Sequence, residues 1–443
     1  MKKVITYGTY DLFHYGHRRL LERAKALGDY LIVGVTTENF DRVRGKINAQ
    51  QSLMERVEAV RATGLADQII VEEYEGQKID DIKRYGVDIF TVGSDWVGKF
   101  DYLNEYCEVV YLDRTQGVSS SEIREGTNIN LGIVGETRIA NKFYNESQFV
   151  NGLNVKAICS KDEKRLNSFE DKELFLTDSY EELLKQDIDA VFIISHPSKH
   201  FRHIKMALEG GKHVLCESPI ALNPDDCEEL FKIAEEKNLI LMDSIKTAYS
   251  TAYSRLLVLI KSGRIGDVLS IDATCTSLEE NIPGQIKDYK WNSITSWAPT
   301  ALLPIFQILG TDYKDININS VILQKDFDSF TKIDLTYDNA VASIKVGNGV
   351  KSEGELVISA TKGYVYVPAP WWKMDFFELR YEDLNDNKKY FYKLDGEGIR
   401  YMLVVFTRSV ELLKSYANIK WDESKAITGV MKEFYDGNIN DLS

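Results

Sequence analysis

Positive charge is in deficit in this 443-residue chain: 54 lysines and arginines face 68 aspartates and glutamates, a formal net charge of −14. Sequence-independent binding to nucleic acid needs a basic face that displaces counterions. No nucleic-acid partner is therefore expected, and any phosphate chemistry must rely on locally clustered cations. Cysteine is sparse as well. Cys107, Cys159, Cys216, Cys227 and Cys275 form no CxxC pair and no regular framework, which argues against a disulfide scaffold and for a reducing, cytoplasmic setting. No apolar run reaches the roughly 20 residues of a membrane span. Asp11 and His14 interrupt what a signal peptide would need as an apolar core, so neither membrane insertion nor a leader is expected. Low-complexity tracts and short repeats are missing too. Histidine is rare, with six in the chain, yet His14 and His17 stand three positions apart.

What is present is the composition of a globular protein, 44% hydrophobic and 28% charged. The length suggests about three domains of ordinary size. KVITYG reads as a buried strand and RRLLERAKAL as an amphipathic helix. Strand-like runs recur at DYLIVGV, DQIIVEE, DIFTVGS and CEVVYLD with helical stretches between, the pattern of a parallel sheet with crossover helices. From GTNIN a second cycle begins: INLGIVGE, NVKAICS, DAVFIIS, KHVLCES and NLILMDS. Beyond about residue 265 strands follow one another without regular helices, from VLSIDATC to KKYFYKL, and one helical stretch near 400–416 closes the sheet. The expected architecture is α/β: a Rossmann-like domain over 1–127, a second over 128–247, and an α+β domain with a mostly antiparallel sheet over 248–443.

The stretch GTYDLFHYGH leaves a strand and enters a helix, where backbone N–H groups point outward and favour anions. Imidazoles at i and i+3 share one face of the incoming helix. Gly16 between them lets a phosphate approach closely, and Thr9 adds a hydroxyl donor. A single histidine here would read as an ordinary partly buried residue; two with this spacing read as a phosphate site.

These residues resemble the GT(Y/F)DxxHxGH signature of the HxGH cytidylyltransferases, within the wider HIGH-type nucleotidyltransferases. FDRVRGK, GSDWVGKFD and CEVVYLDRTQGVSSSEIRE resemble the glycerol-3-phosphate cytidylyltransferase versions of three further segments, in the same order, over residues 1 to about 125. The resemblance implies in-line attack of an acceptor phosphate oxygen on the α-phosphorus of CTP, with Mg²⁺ accompanying the triphosphate. It places His14, His17, Lys46 and Arg114 as catalytic groups around the triphosphate. It assigns Thr9, Tyr10, Asp11, Gly16, Asp95, Trp96, Thr115, Ser119, Ser120 and Ser121 to nucleotide binding. Arg44 and Lys78 are assigned to the acceptor phosphate. One departure stands out: the related enzymes carry an arginine where this chain has Gly64, with Arg61 nearby.

Residues from about 130 onward resemble the glucose–fructose oxidoreductase/inositol dehydrogenase/MocA-type proteins, through LGIVGETRIANKF, FIISHPSKH, GGKHVLCESPIAL and GRIGDV. The resemblance implies a dinucleotide-binding domain followed by an antiparallel-sheet domain, with NAD(P) as the candidate cofactor. Candidate contacts are Gly135, Thr137, Arg138, Ser160, Lys161, His196, Pro197, Glu217 and Lys246. The chemistry motifs are altered. In the G-x-G-x-x-A fingerprint the second glycine is Thr137, beside Glu136. The E-K-P lysine is Ser218, and WAPTALLP (297–304) lacks the usual Asp and His. Lys246 could replace the missing acid/base group, although a surface lysine is the commoner case. His196, His200 and His203 have ligand-like spacing, but no acidic or cysteine partner stands near, so no metal site is expected.

Two functions follow. The first is transfer of CMP from CTP to a small polyol phosphate, glycerol phosphate foremost, giving a CDP-polyol of the kind used for cell-surface polysaccharide or teichoic acid; the oxidoreductase-like region is then scaffold or regulator. The second is a bifunctional enzyme that also reduces a keto-phosphate with NAD(P)H to make the polyol phosphate. A homo-oligomer is expected in either case.

Overall fold

The computed structural model describes residues 1–11, 13, 15–37, 51–74, 76–113, 128–135, 139–150, 152–162, 166, 169, 174–278, 292–324, 327–392, 394 and 396–443. The chain forms two compact units, Met1–Asn128 with Phe149–Gly152, and Ile129–Gln148 with Leu153–Ser443.

In the first unit, β1 (Lys3–Gly8), β2 (Tyr30–Thr36), β3 (Gln68–Glu72), β4 (Ile89–Gly93) and β5 (Glu108–Leu112) form one parallel sheet in the order β3-β2-β1-β4-β5. Side chains alternate across a strand, and both faces are covered. Val4 packs with Leu21, Leu31 and Val60 on one side, Ile5 with Ile32, Ile82 and Phe90 on the other. That is why KVITYG reads as a continuous apolar run. Among the described residues its α-helices are α1 (Tyr15–Lys25), α2 (Leu53–Arg61) and α3 (Gln77–Tyr85). A capping box between Ser52 and Glu55 starts α2.

In the second unit, β6 (Ile129–Gly135), β7 (Leu153–Cys159), β8 (Phe175–Thr177), β9 (Ala190–Ile194), β10 (His213–Cys216) and β11 (Leu241–Asp243) build a parallel sheet in the order β11-β10-β9-β6-β7-β8. The helices α4 (Ile139–Ser147), α5 (Tyr180–Leu184), α6 (His200–Glu209) and α7 (Pro224–Glu236) alternate with these strands. After α8 (Thr251–Lys261) comes a nine-stranded sheet. Its strands are β12 (Val268–Thr276), β13 (Asp315–Gln324), β14 (Phe327–Thr336), β15 (Val341–Gly347), β16 (Leu356–Ala360), β17 (Tyr364–Val367), β18 (Phe376–Arg380), β19 (Lys388–Phe391) and β20 (Asn440–Asp441). Pairing is antiparallel except for β12 with β15 and β13 with β20.

Three elements differ from the sequence reading. The short edge strand β8 was not expected. A 17-residue helix, α9 (Ser293–Leu309), lies within the stretch expected to hold strands only, and packs on β12, β14 and β15. Its Pro299 and Pro304 each remove a helical N–H donor, and its apolar residues surround the axis instead of forming a stripe. Burial of that surface holds the helix against its local propensity. The chain also closes with two helices rather than one, α10 (Ile399–Glu411) and α11 (Trp421–Tyr435). No helix among the described residues is long and apolar enough to cross a membrane.

Candidate functional site

In the first sheet the strand order reverses between β1 and β4, so crevices open at their carboxyl ends, where ligands bind in such sheets. Two sequence-singled segments meet this edge. One is the turn from Thr9 into α1; the other is Ser94–Trp96, a 3₁₀ turn that directly follows β4. His17 lies in the first turn of α1. Its ring sits 5.5 Å from those of both Tyr10 and Phe13. Tyr10 has φ 54° and is almost fully buried. Its ring folds back over Gly8, where an added Cβ would come within 3.0 Å of it. Tyr10 therefore shapes the turn from inside the core. Asp11 is buried and accepts a hydrogen bond from the Gln51 amide at 3.0 Å.

The turn is held by a clamp that belongs to none of the motifs identified in the sequence. Arg56 on α2 is fully buried. It donates through Nη1 to the carbonyl oxygens of Thr9 and Thr36, each at 2.8 Å, and through Nε to that of Gln51 at 3.1 Å. One guanidinium thus ties the ends of β1 and β2 to the start of α2, a use of its rigid donor fork that lysine could not reproduce. The signal was only the arginine after Glu55, in a helix whose neighbours are charged.

Lys78 on α3 is buried and paired with Glu72, and its ammonium lies 4.6 Å from the Tyr7 ring centroid. The Tyr7 hydroxyl donates to Asp81 at 2.8 Å, and burial, followed by the Asp81 carboxylate, raises its pKa well above the ordinary phenol value, so it stays protonated. Trp96 packs 5.8 Å from Phe100, with the Lys99 ammonium 5.5 Å above its ring. His14, Arg44, Lys46, Arg114, Thr115, Ser119, Ser120 and Ser121 lie outside the described residues, as does the Asp95 side chain.

In the second unit the candidates gather at the carboxyl ends of the parallel strands. Gly135 ends β6, where an added Cβ would fall 2.5 Å from the Ile194 carbonyl oxygen. Thr137, Arg138 and Glu136 lie outside the described residues. Ser160, after β7, is buried and its hydroxyl accepts from the Asp162 amide at 3.1 Å, while Lys161 is exposed. His196 caps a short turn with buried Pro197, its Nδ1 2.8 Å from the Ser198 hydroxyl. The ring nitrogens of His200 lie 2.8 and 2.7 Å from the carbonyl oxygens of Pro219 and Ser195, and Nδ1 of His203 lies 2.9 Å from the Ser195 hydroxyl. Burial lowers both of these histidines to about 4. Their nitrogens serve the polypeptide, and among the described residues no group of three or more His, Cys, Asp or Glu gathers to hold a metal.

Ser218, which replaces the expected lysine, donates to Asp243 at 3.2 Å, and Ser424 donates to the same carboxylate oxygen at 2.9 Å. Burial raises Asp243 to about 7, against the pull of those hydroxyls. Glu217 is also enclosed; burial raises it to about 8, with Lys246 opposing and Asp243 adding to the rise. Lys246, which burial lowers, pairs with Glu397 at 3.2 Å.

A parallel sheet of order 3-2-1-4-5 with a histidine-bearing turn at its switch point is the framework of a Rossmann-like nucleotidyltransferase. The profile of cytidylyltransferase-like proteins matches residues 5–126, and that of an oxidoreductase family with an NAD-binding Rossmann fold matches residues 129–244. Over 125 residues the chain is 52% identical to a glycerol-3-phosphate cytidylyltransferase of Bacillus spizizenii, covering 28% of this chain and 96% of that protein. It is 46% identical over 125 residues to the Staphylococcus aureus protein of the same name, covering 28% and 94%. Through its first unit the chain belongs to the glycerol-3-phosphate cytidylyltransferase family, and it is a nucleotidyltransferase. The second unit shares its fold with KijD10, a 3-ketoreductase from Actinomadura kijaniata solved with NADP and TDP-benzene. That match has a TM-score of 0.63 and 18% identity, and covers 71% of this chain and 99% of that one.

Proposed function

We propose that residues 1–127, which lie within the first unit, transfer CMP from CTP to glycerol phosphate, releasing pyrophosphate. The observation that carries this reading is the meeting of the Thr9–His17 turn and Ser94–Trp96 at the switch point of the sheet, in a segment so similar to enzymes named for that reaction. An oxygen of the acceptor phosphate attacks the α-phosphorus, the bond from that phosphorus to the bridging oxygen of the β-phosphate breaks, and pyrophosphate leaves. Such a reaction needs positioning and charge stabilisation more than covalent help. His17 and His14 donate to the triphosphate from the start of α1, with Lys46, Arg114, Thr115 and Ser119–Ser121 as further contacts. Arg44 and Lys78 face the acceptor phosphate; Lys78 would leave Glu72 to do so. Mg²⁺ would enter with CTP, supplying charge neutralisation on the phosphates.

Residues 128–247 and 248–443 act in this reading as scaffold, oligomerisation surface or regulator. With Ser218 engaged by Asp243, the customary lysine is replaced by a hydroxyl that is already committed. A second reading keeps reduction of a keto-phosphate by NAD(P)H, with Lys246 as proton donor. Its support is the NAD-binding family match and the burial that lowers Lys246. The product, a CDP-polyol, suits a soluble precursor role in cell-surface polymer assembly. The deciding experiment is pyrophosphate release across CTP, ATP, GTP and UTP against glycerol, ribitol and erythritol phosphates. Turnover with ATP but none with CTP would replace the cytidylyl reading with an adenylyl one. NADPH oxidation with a keto-phosphate, abolished in Lys246→Ala, would establish the second reading.

A further inference from the structure

Three lysines from separate elements of the second unit converge on one carboxylate. Lys142 of α4 and Lys373, which follows Trp372, place their ammonium groups 3.1 and 2.9 Å from Glu397 Oε1, and Lys246 lies 3.2 Å from Oε2. Among the described residues, three positive charges face one negative charge here, which leaves two unmatched. Arg400 adds none, because it has Glu146 as its own partner. Glu217 is close enough to Lys246 to be influenced by it, yet it forms no ion pair with these lysines among the described residues, and burial raises its carboxyl to about 8. Asp375 borders the same region but forms no ion pair with these lysines among the described residues.

The carboxylate reaches the lysines on a distinctive backbone. Gly396, Glu397 and Gly398 all have positive φ, at 56°, 54° and 86°. For glutamate the left-handed region costs about 1 kcal/mol, so the chain holds this carboxylate in place against a local preference. A Cβ at position 396 would collide with Glu146. Beside the turn opens a cleft of about 630 Å³ lined by Lys373, Asp375, Phe391, Tyr392, Leu394 and Glu397. The Glu397, Lys246 and Lys373 side chains are each about a third exposed, at 35%, 31% and 36%, so the cluster is open to solutes.

We propose that Lys142, Lys246 and Lys373 form a binding site for a phosphate monoester, filled in this structure by Glu397 acting as a tethered competitor. A phosphate dianion offers three acceptor oxygens to three ammonium donors and matches their charge better than a single carboxylate does. Because the carboxylate is tethered, it competes at a high effective concentration. The site's apparent affinity is lowered by the fraction of time it is filled. The site does not depend on the cytidylyltransferase reading.

The test is calorimetric titration of the full chain with inorganic phosphate, glycerol 3-phosphate, NADP⁺ and NAD⁺. Glu397→Gln keeps the side chain's size and removes the competing charge, so binding of a monoester should strengthen about tenfold or more. Adding Lys373→Ala should erase that gain, and Lys373→Arg in its place should keep it. Phosphate sites of the first unit contribute the same background to each variant, and pyrophosphate release from CTP, measured on the same samples, reports on the first unit separately. A gain for glycerol 3-phosphate assigns the site to a free small phosphate; a gain for NADP⁺ without NAD⁺ assigns it to the 2′-phosphate of a dinucleotide. No gain in Glu397→Gln, a gain that survives Lys373→Ala, or one lost in Lys373→Arg overturns the proposal.

Discussion

Arg56 donates to the Thr9 carbonyl oxygen at 2.8 Å, eight residues before the second histidine of the signature turn. With Thr36 and Gln51 as its other acceptors, the buried guanidinium fixes three chain segments at once. Replacement by methionine strands three carbonyl groups in the interior, a loss of at least about 3 kcal/mol. Arg56→Lys keeps the charge without the fork. We expect it to remain folded, with kcat reduced about tenfold to a hundredfold and KM for CTP changed far less, because placement of the turn matters most in the transition state. Equal turnover in Arg56→Lys and wild type would remove the positioning role.

His17→Ala addresses the chemistry itself. Loss of one preorganised donor should lower kcat by about 10²–10³-fold. Since the imidazole is only partly buried beside Tyr10 and Phe13, the melting temperature should move by a few degrees at most. Pyrophosphate release at near wild-type rate would exclude His17 from the transition state.

The parallel sheets were legible because their strands are apolar on both faces and bounded by turn residues, as in KVITYG and DAVFIIS. The helix α9 was hidden by Pro299 and Pro304 and by apolar residues all round its axis, which produce no amphipathic period. At the site, the passage from β1 into α1 was legible from the apolar strand and the amphipathic run that follows it. The inward placement of Tyr10, the Asp11 tie to Gln51 and the Arg56 clamp were not, since each depends on partners up to 47 residues away. Lys142, Lys373 and Glu397 likewise come together only through tertiary folding.

Gly135 tests what the retained first glycine of the fingerprint is for. A methyl group there meets the Ile194 carbonyl of the neighbouring strand, whatever ligand the turn takes. Gly135→Ala should destabilise the second unit by about 1–3 kcal/mol through overpacking, with or without NAD(P)H present. Unchanged thermal stability, measured by calorimetry, would remove the packing explanation and leave close cofactor approach as the glycine's purpose.

Glu217 gives the second unit a pH dependence of defined sign. Its carboxyl sits at about 8 in the fold and near 4.3 in the unfolded chain. A raised folded value means that its stabilising contribution is complete below about 4.3 and is lost as pH rises through about 8. Asp243, raised to about 7, acts in the same direction. His200 and His203, lowered to about 4, act oppositely: their contribution is present above about 6.5 and is lost as pH falls through 4. A wild-type melting curve alone would mix these effects, so the measurement is a difference. Glu217→Gln cannot ionise, and its melting temperature relative to wild type should climb steadily from pH 5 to pH 8.5. A difference that stays flat across that range would mean that Glu217 is ionised in the fold at neutral pH, with Lys246 rather than burial governing its charge.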